Sequence, residues 1–520
     1  MIKAPQLPSS WTQTSVEAIA ELNPRSFSLL PGAESRVVHF VPMAAVSEEF
    51  GGIDVSQSRP LGEVRKGYSS FTANDVLFAK ITPCMENGKI ALVPTLPHHI
   101  AYGSTEFHVL RPTEAVEPKW LAYFLSQKTF RELARRNMTG SAGQMRVPTS
   151  WLSAAQLPVA PRAEQTRIVE KLEELLSDLD AGVVELKAAQ KKLALYRQSL
   201  LKAAVEGALT ADWRARRAAR DEPLETGADL LARILTERRA RWEVRQLAKF
   251  KEQGKTPPKG WEAKYPEPVR PDTSRLPELP AGWTWATVGQ LLLELTSGSR
   301  DWAPYYNRGA CVFVMAQNVR PLRPDFSFKQ YVDPPPDHRD RARSAVCKDD
   351  LLVTIVGANT GQTCRVPDPV ESHFVCQSVA LLRLVEPAMS EFLNEALNSQ
   401  GHGQRQFREM TYGAGRPHLS FEQLESVVVP LPSLAEQARI VESVSDALIA
   451  CEQVDAELML LAKQATAQRK NLLKAAFSGQ LVPQNPNDEP ASTLLARIRA
   501  EREARSNSSP NRRTRKAAHA

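Results

Sequence analysis

Cysteine is scarce in this 520-residue chain, with six at Cys84, Cys311, Cys347, Cys364, Cys376 and Cys451. None stands in a C-x-x-C pair, which excludes a zinc ribbon or a thioredoxin-type motif. So few thiols, so scattered, point to a reducing compartment rather than a disulfide scaffold. No stretch approaches about 18 consecutive apolar residues, and the opening MIKAPQLPSSWTQ lacks the apolar core of a signal peptide. A cytoplasmic protein is expected. Histidine is also sparse: nine residues with no metal-ligand spacing, His98 and His99 being adjacent in a loop-like stretch. There is no H-E-x-x-H, no G-x-S-x-G and no nuclease-like run of acids with a following lysine. VGANTGQ from Val356 has glycines at the wrong spacing for a Rossmann or Walker loop. DPPPDH from Asp333 approaches the Asp-Pro-Pro-aromatic loop with which amino-methyltransferases grip a flipped base, but its fourth residue is Pro336. The expectation is a chain with no catalytic residues, no cofactor and no metal.

What is present is a soluble composition: 42% hydrophobic, 24% charged, a net charge of +7 and a pI near 9.0. That suits roughly two to four domains. The basic excess admits nucleic acid, an acidic protein surface or a membrane surface as partner.

The chain is written twice. AEQTRIVE from Ala163 returns as AEQARIVE from Ala435, an offset of 435 − 163 = 272. LLKAA from Leu200 returns from Leu472, and LPSSWTQTSV from Leu7 returns as LPAGWTWATV from Leu279, both again 272 apart. A fourth echo, DEPLETGADLLARILTER from Asp221 and DEPASTLLARIRAER from Asp488, keeps the order but not the offset. Three anchors in one register mean one layout used twice. Between the anchors the halves diverge into fragments such as NDVLFAKITP at Asn74 and DDLLVTIVGA at Asp349. Alternating apolar residues broken by Gly and Pro predict short strands there. LAYFLSQKTFRELARR at Leu121 and SEFLNEALNSQ at Ser390 predict helices.

Each mixed α/β half is followed by a long helix. Leu172, Leu179, Leu186, Leu193 and Leu200 recur every seven residues, with Ile168, Leu175 and Tyr196 in the interleaved register. That is a coiled-coil seam. Ile440, Val444, Cys451, Val454, Leu458, Leu461 and Leu472 repeat it. About 40 residues at 1.5 Å each give roughly 60 Å per helix. Prolines 158, 161, 430 and 432 set the starts, and Gly207 and Gly479 the ends. Two matching seams predict one intramolecular antiparallel pair. Residues 207–275 form a basic helical and Pro-rich connector, and residues 481–520 a basic tail expected to be disordered.

Two related domains on one rod suit a target with two separated sites, as duplex DNA offers each helical turn. At this point the chain resembles a known family, the specificity subunits of type I restriction-modification systems. The carriers are the paired P-x-x-EQ-x-RIVE blocks (Pro161, Glu164, Gln165, Arg167, Ile168; Pro432, Glu436, Gln437, Arg439, Ile440) and LPELPAGWTW from Leu276. The resemblance runs from Leu7 to GQLV at Gly479. It implies an α/β (α+β) fold of two pseudo-symmetric target-recognition domains, at 1–160 and 276–432, joined by two long antiparallel coiled-coil helices at 161–206 and 433–480. It implies that each domain reads half of a bipartite asymmetric site in double-stranded DNA. It also implies that the helices, through these blocks with Leu172 and Leu179, set the spacer and dock two methyltransferase subunits, to which restriction subunits are added. The connector departs from the family's pattern, and its role stays open between packing, partner binding and linkage.

Candidate DNA contacts follow from side-chain chemistry, since Arg, Lys, Asn and Gln read bases and glycines let the backbone approach phosphates. TGSAGQMRVP from Thr139 and TYGAGRPHLS from Thr411 lie at equivalent places, and offer Gln144, Arg146, Arg416 and His418. Lys80, Thr82 and Lys89 in the first half, with Asn359 and Gln362 in the second, come next. Two other readings fit the residues: a pseudo-symmetric protein adaptor without DNA binding, and a cryptic DNA methyltransferase. S-adenosylmethionine binding by this chain alone would favour the latter.

Overall fold

The computed structural model describes residues 7–508 apart from 26–32, 49–51, 142, 221–224, 369–371 and 414. The chain divides into two units: 1–187 with 459–520, and 188–458. The short apolar runs become strands. In the first unit these are β1 (Thr12–Ser15), β2 (Ala20–Leu22), β3 (Val37–Val41), β4 (Ser58–Pro60), β5 (Ser69–Phe71), β6 (Val76–Ala79), β7 (Ile90–Leu92), β8 (Ala101–Gly103), β9 (Phe107–Pro112) and β10 (Gln156–Val159). They form two four-stranded sheets, β2-β9-β6-β7 and β4-β3-β8-β5, and the antiparallel pair β1-β10. Only β3 and β8 run parallel among these pairings.

The second unit holds β11 (Thr284–Thr287), β12 (Leu292–Ser297), β13 (Tyr306–Val314), β14 (Gln330–Val332), β15 (Ala345–Val346), β16 (Leu351–Thr354), β17 (Thr363–Arg365), β18 (His373–Val375), β19 (Val379–Leu384) and β20 (Val428–Leu431). Its sheets are β12-β19-β16-β17, β14-β13-β18-β15 and β11-β20, the first unit's orders with ten added to every strand. The parallel pair is again the equivalent one, β13 with β18. Helices Pro118–Ser126 and Ser390–Asn398 keep the register (390 − 118 = 272), as do Thr149–Ala154 and Phe421–Ser426 (421 − 149 = 272). The slips lie in the middle strands, at β5 and β15 (345 − 69 = 276) and at β6 and β16 (351 − 76 = 275).

Some of the repetition is invisible as sequence identity. Asn74 and Asp349 both take left-handed backbone ahead of β6 and β16. The next residue, Asp75 or Asp350, is buried and clasped by an arginine from the neighbouring strand of its sheet, β9 or β19. Arg111 grips Asp75 at 2.9 and 2.7 Å, and Arg383 grips Asp350 at the same two distances. Each of these carboxylates also caps a backbone N–H, of Thr72 and of Cys347. Burial pushes the Asp350 carboxyl up, and the guanidinium opposes that shift.

Helix Arg162–Val205, 44 residues long, begins in the first unit and ends in the second; helix Leu434–Ala476, 43 residues long, makes the reverse passage. Within each unit the start of one therefore meets the end of the other, which is antiparallel pairing. Asp180 pairs with Arg469 in the first unit, and Arg197 with Asp455 at 3.6 Å in the second. Gly207 and Gly479 end the helices in left-handed conformation, where a side chain would be strained. The seam is narrower than its heptads suggest. Ile168, Leu172, Leu200, Ile440, Val444, Cys451 and Leu458 are buried, but Tyr196, Val454 and Leu461 are exposed. Between Leu172 and Leu200 the heptad leucines, Leu179, Leu186 and Leu193, are only half-buried.

The tail corrects an expectation. Residues 491–508 are helical, not disordered, and Leu494, Leu495 and Ile498 are buried in the first unit's core with Trp120 and Phe477. Each such side chain contributes about 1.5–3 kcal/mol on burial, enough to order a short basic segment. The stretch 509–520 lies outside the described residues. The connector plays the same part in the second unit, where Leu230 and Ile234 of helix Gly227–Glu252 enter the core beside Val288, Leu291 and Leu382. It packs on the second unit and is not a bare linker. Among the described residues no helix is long and apolar enough to cross a membrane.

Candidate nucleic-acid interface

The two Gly-rich loops share one backbone frame. Thr139 and Arg146 exchange both backbone hydrogen bonds at 2.9 and 2.8 Å, and Tyr412 and His418 exchange theirs at 3.2 and 2.9 Å. Inside each closure sits a glycine of positive φ, Gly140 or Gly413. A Cβ there would lie 2.9 Å from the Gln144 carbonyl or 2.6 Å from that of Arg416. Only glycine fits so tight a turn. The closed loop is then tied to the segment following the buried Asp strand. Val147 N–H donates to Lys80 O at 2.8 Å, and Leu419 N–H to Ile355 O at 3.0 Å.

This tie brings separate candidates together. Lys80 and Thr82 lie beside the loop of Gln144 and Arg146, Thr82 Oγ1 accepting from Met145 N–H at 3.2 Å. Asn359 and Gln362 flank Thr360, whose hydroxyl donates to Pro417 O at 3.1 Å, next to Arg416 and His418. Lys89 is not available for DNA: its ammonium donates to Met43 O at 3.3 Å and Val46 O at 2.9 Å, closing a neighbouring turn. Arg146 is also engaged. It grips Glu106 with two bonds of 2.9 Å and holds that carboxyl below the usual range. The exposed tips are Gln144 and Arg416, and Arg416 makes no ion pair among the described residues. Asn359 and Gln362 are half-buried, Asn359 donating to Ala316 O at 3.4 Å.

One residue escaped the sequence reading. Tyr412 is 53% exposed and stacks flat on His418, ring centroids 5.2 Å apart at 13°. It closes its loop where Thr139 closes the other, an aromatic in place of a threonine just before the tight-turn glycine. The DPPPDH stretch is a surface loop in which His338 packs against Trp302 and Tyr305.

Most residues of the helix-start blocks are turned inward. Glu164, Gln165, Ile168, Leu172, Glu436, Gln437 and Ile440 are buried, and Leu179 is half-buried. Gln165 donates to Ala115 O and Ala160 O and accepts from Glu117 N–H, pinning the helix to its own domain. Arg167 reaches Asp488 at 2.6 Å to hold the tail, and Arg439 pairs with Glu442 one turn on. These buried side chains position the helices, Gln437 keeping a buried Oε1 with no hydrogen-bond partner among the described residues and Arg439 staying exposed. The apolar surface that remains open lies mid-helix: Val184, Met459 and Leu460 in the first unit, Leu195, Tyr196 and Ile449 in the second.

No family model matches the chain. It is 24% identical over 501 residues to the EcoEI type I restriction enzyme specificity subunit of Escherichia coli, covering 87% of this chain and 80% of that one. To the EcoAI specificity subunit of the same species it is 26% identical over 502 residues, covering 86% and 79%. Over most of its length the chain is similar to type I specificity subunits. The fold agrees: the HsdS subunit from Thermoanaerobacter tengcongensis superposes with a TM-score of 0.52 at 18% identity, over 92% of this chain and 100% of that one. A chain from a solved type I R-M system, described for its complex assembly and conformational transition, gives a TM-score of 0.63 over the same shares, also at 18% identity. Two mixed α/β domains joined by long paired helices are thus common to this chain and type I specificity subunits.

Proposed function

We propose that this chain reads a bipartite asymmetric site in double-stranded DNA, one domain per half-site, and catalyses nothing itself. It acts in the cytoplasm as the specificity subunit that brings two adenine methyltransferase subunits, and then restriction subunits, to that site. The observation that carries this reading is the shared loop frame with unlike tips. Gln144 and Arg416 occupy the same position (416 − 144 = 272) of one backbone design. Glutamine pairs well with adenine and arginine with guanine, so one frame serves two different half-sites. Exposed apolar residues midway along each helix support a partner surface there, because contiguous apolar patches mark interaction sites.

The test is methylation mapping by long-read sequencing of cells expressing this chain with and without its methyltransferase partner. An N6-methyladenine motif of two specific parts around a fixed gap is expected only when both are present. No such motif, with a methyltransferase known to be active beside another specificity subunit, would turn the reading towards an adaptor.

Residue changes should act on one half-site at a time. Arg416→Ala is expected to weaken specific binding by about 1–3 kcal/mol and relax one base of one half-site. Gln144→Ala should relax the other half-site. Arg146→Ala should act indirectly, by freeing Glu106 and loosening the loop that presents Gln144. Competition titrations against single-base variants separate these outcomes, and unchanged preference in the Arg416 variant would remove it from the interface.

A further inference from the structure

The connector does more than pack. Residues 237–264 carry nine lysines and arginines against four glutamates, 9 − 4 = +5, where the whole chain has +7. Runs of like charge are usually solvated and disordered. This one is built. Helix Gly227–Glu252 starts from a capping box of Thr226 and Asp229 and is anchored by Leu230 and Ile234. Farther on, Arg238 donates to Leu292 O at 3.0 Å. The chain turns at Gly254, and the returning segment clips back onto the helix through aromatic rings. Trp261 stacks on Trp242 at 5.7 Å and 19°, Tyr265 meets Trp242 edge-on at 5.4 Å, and Phe250 meets Trp261 edge-on at 6.0 Å.

Seven of these nine cations divide into two sets. Arg239 and Arg241 are answered by Glu243 and Glu237 one turn away. Arg245, Lys249, Lys251, Lys259 and Lys264 are exposed and make no ion pair among the described residues. Arg245 and Lys249 lie four apart on the helix, neighbours on one face about 5–6 Å from each other. Lys259 and Lys264 lie on the return limb. The tail helix, which echoes this connector in the first unit, has no such return limb among the described residues, since it ends at Ser508.

We propose that this aromatic-pinned hairpin, residues 238–264, is a second DNA surface that holds the phosphate backbone of the duplex without reading bases. Exposed cations on a rigid support fit a linear polyanion, because each one that meets a phosphate releases a condensed counterion. Lysine-rich surfaces of this kind position a protein on DNA and leave sequence choice to other residues. The inference rests on the DNA-reading function proposed above.

The experiment uses the full chain in complex with its methyltransferase subunit and a long duplex carrying the mapped motif. Affinity is measured across salt concentrations for the wild type and for the combined variant Arg245→Gln, Lys249→Gln, Lys251→Gln, Lys259→Gln. The slope of log affinity against log salt is expected to fall by about 1 for each phosphate that is no longer neutralised, with the methylated motif unchanged. Trp261→Ala, which unclips the hairpin and leaves its charge intact, should give part of the same decrease. A slope equal to that of the wild type, in a wild-type complex that binds its motif, overturns the hairpin's role and leaves the function standing. So does a variant that loses its methyltransferase subunit on gel filtration, because the surface then belongs to a protein. A wild-type complex that binds no motif sinks the DNA-reading function itself.

Discussion

Replacing Glu436 with alanine is expected to lower the stability of the second unit by about 3–5 kcal/mol, the range for breaking a buried charge pair. The side chain is buried, and its carboxylate accepts from Trp283 Nε1 at 2.9 Å, from Thr210 Oγ1 at 2.7 Å and from the Arg214 guanidinium. Three pieces of chain meet on it: the start of the second long helix, the entry to the second domain and the segment that leaves the first long helix. Alanine leaves a largely buried guanidinium uncompensated, with an indole N–H and a hydroxyl short of an acceptor. Calorimetry should show one transition moved down and the other in place. Glutamine at this position keeps the shape and loses the charge, so an intermediate effect is expected. A loss below about 1 kcal/mol, no more than one ordinary hydrogen bond, would show that the junction is held by packing instead. The first unit provides the control. Glu164 occupies the equivalent place (436 − 164 = 272), but Gln484 stands where an arginine stands in the second unit. Burial pushes the Glu164 carboxyl up, and Glu164→Ala should cost less.

Inserting one heptad into both long helices is expected to lengthen the gap between the two specific halves of the motif. On the proposed function the helices set the separation of the half-sites, and both pass from one unit to the other. Seven residues add about 10 Å of helix, which corresponds to about three base pairs of duplex at 3.4 Å each. Seven is also nearly two turns, so the faces of both helices are restored. An insertion of four residues in each helix should instead rotate the buried faces apart and abolish specific methylation. Methylation mapping reads both results as the motif itself. A heptad variant that methylates the original motif with its original gap would remove the helices as the ruler.

The largest feature of the molecule was written in the residues. An offset of 272 between three pairs of anchors already implies two copies of one layout. Sheet orders that differ only by adding ten to each strand are that implication in three dimensions. Pro and Gly at the helix ends and apolar residues every seven marked both rods, because capping and periodicity are local and leave local traces. The Gly-rich loops were legible for the same reason, since a turn that excludes Cβ must be glycine.

What stayed hidden depends on partners far away in the chain. Arg146 and Lys89 look like DNA contacts in sequence, but Glu106 and two backbone carbonyls engage them across gaps of about 40 residues. Glu164 and Glu436 look alike, yet one carboxylate accepts from a glutamine and the other from an arginine. The tail reads as basic and disordered, and the connector as a basic helical segment of open role. Tertiary structure decided otherwise, because a few leucines and isoleucines at helical spacing find a core in the fold that no local pattern reveals. The sequence by itself determined the duplication, the two rods and the loops. Which side chains stay exposed on those loops was decided only by tertiary structure, because hydrogen bonding and burial depend on the neighbours that folding supplies.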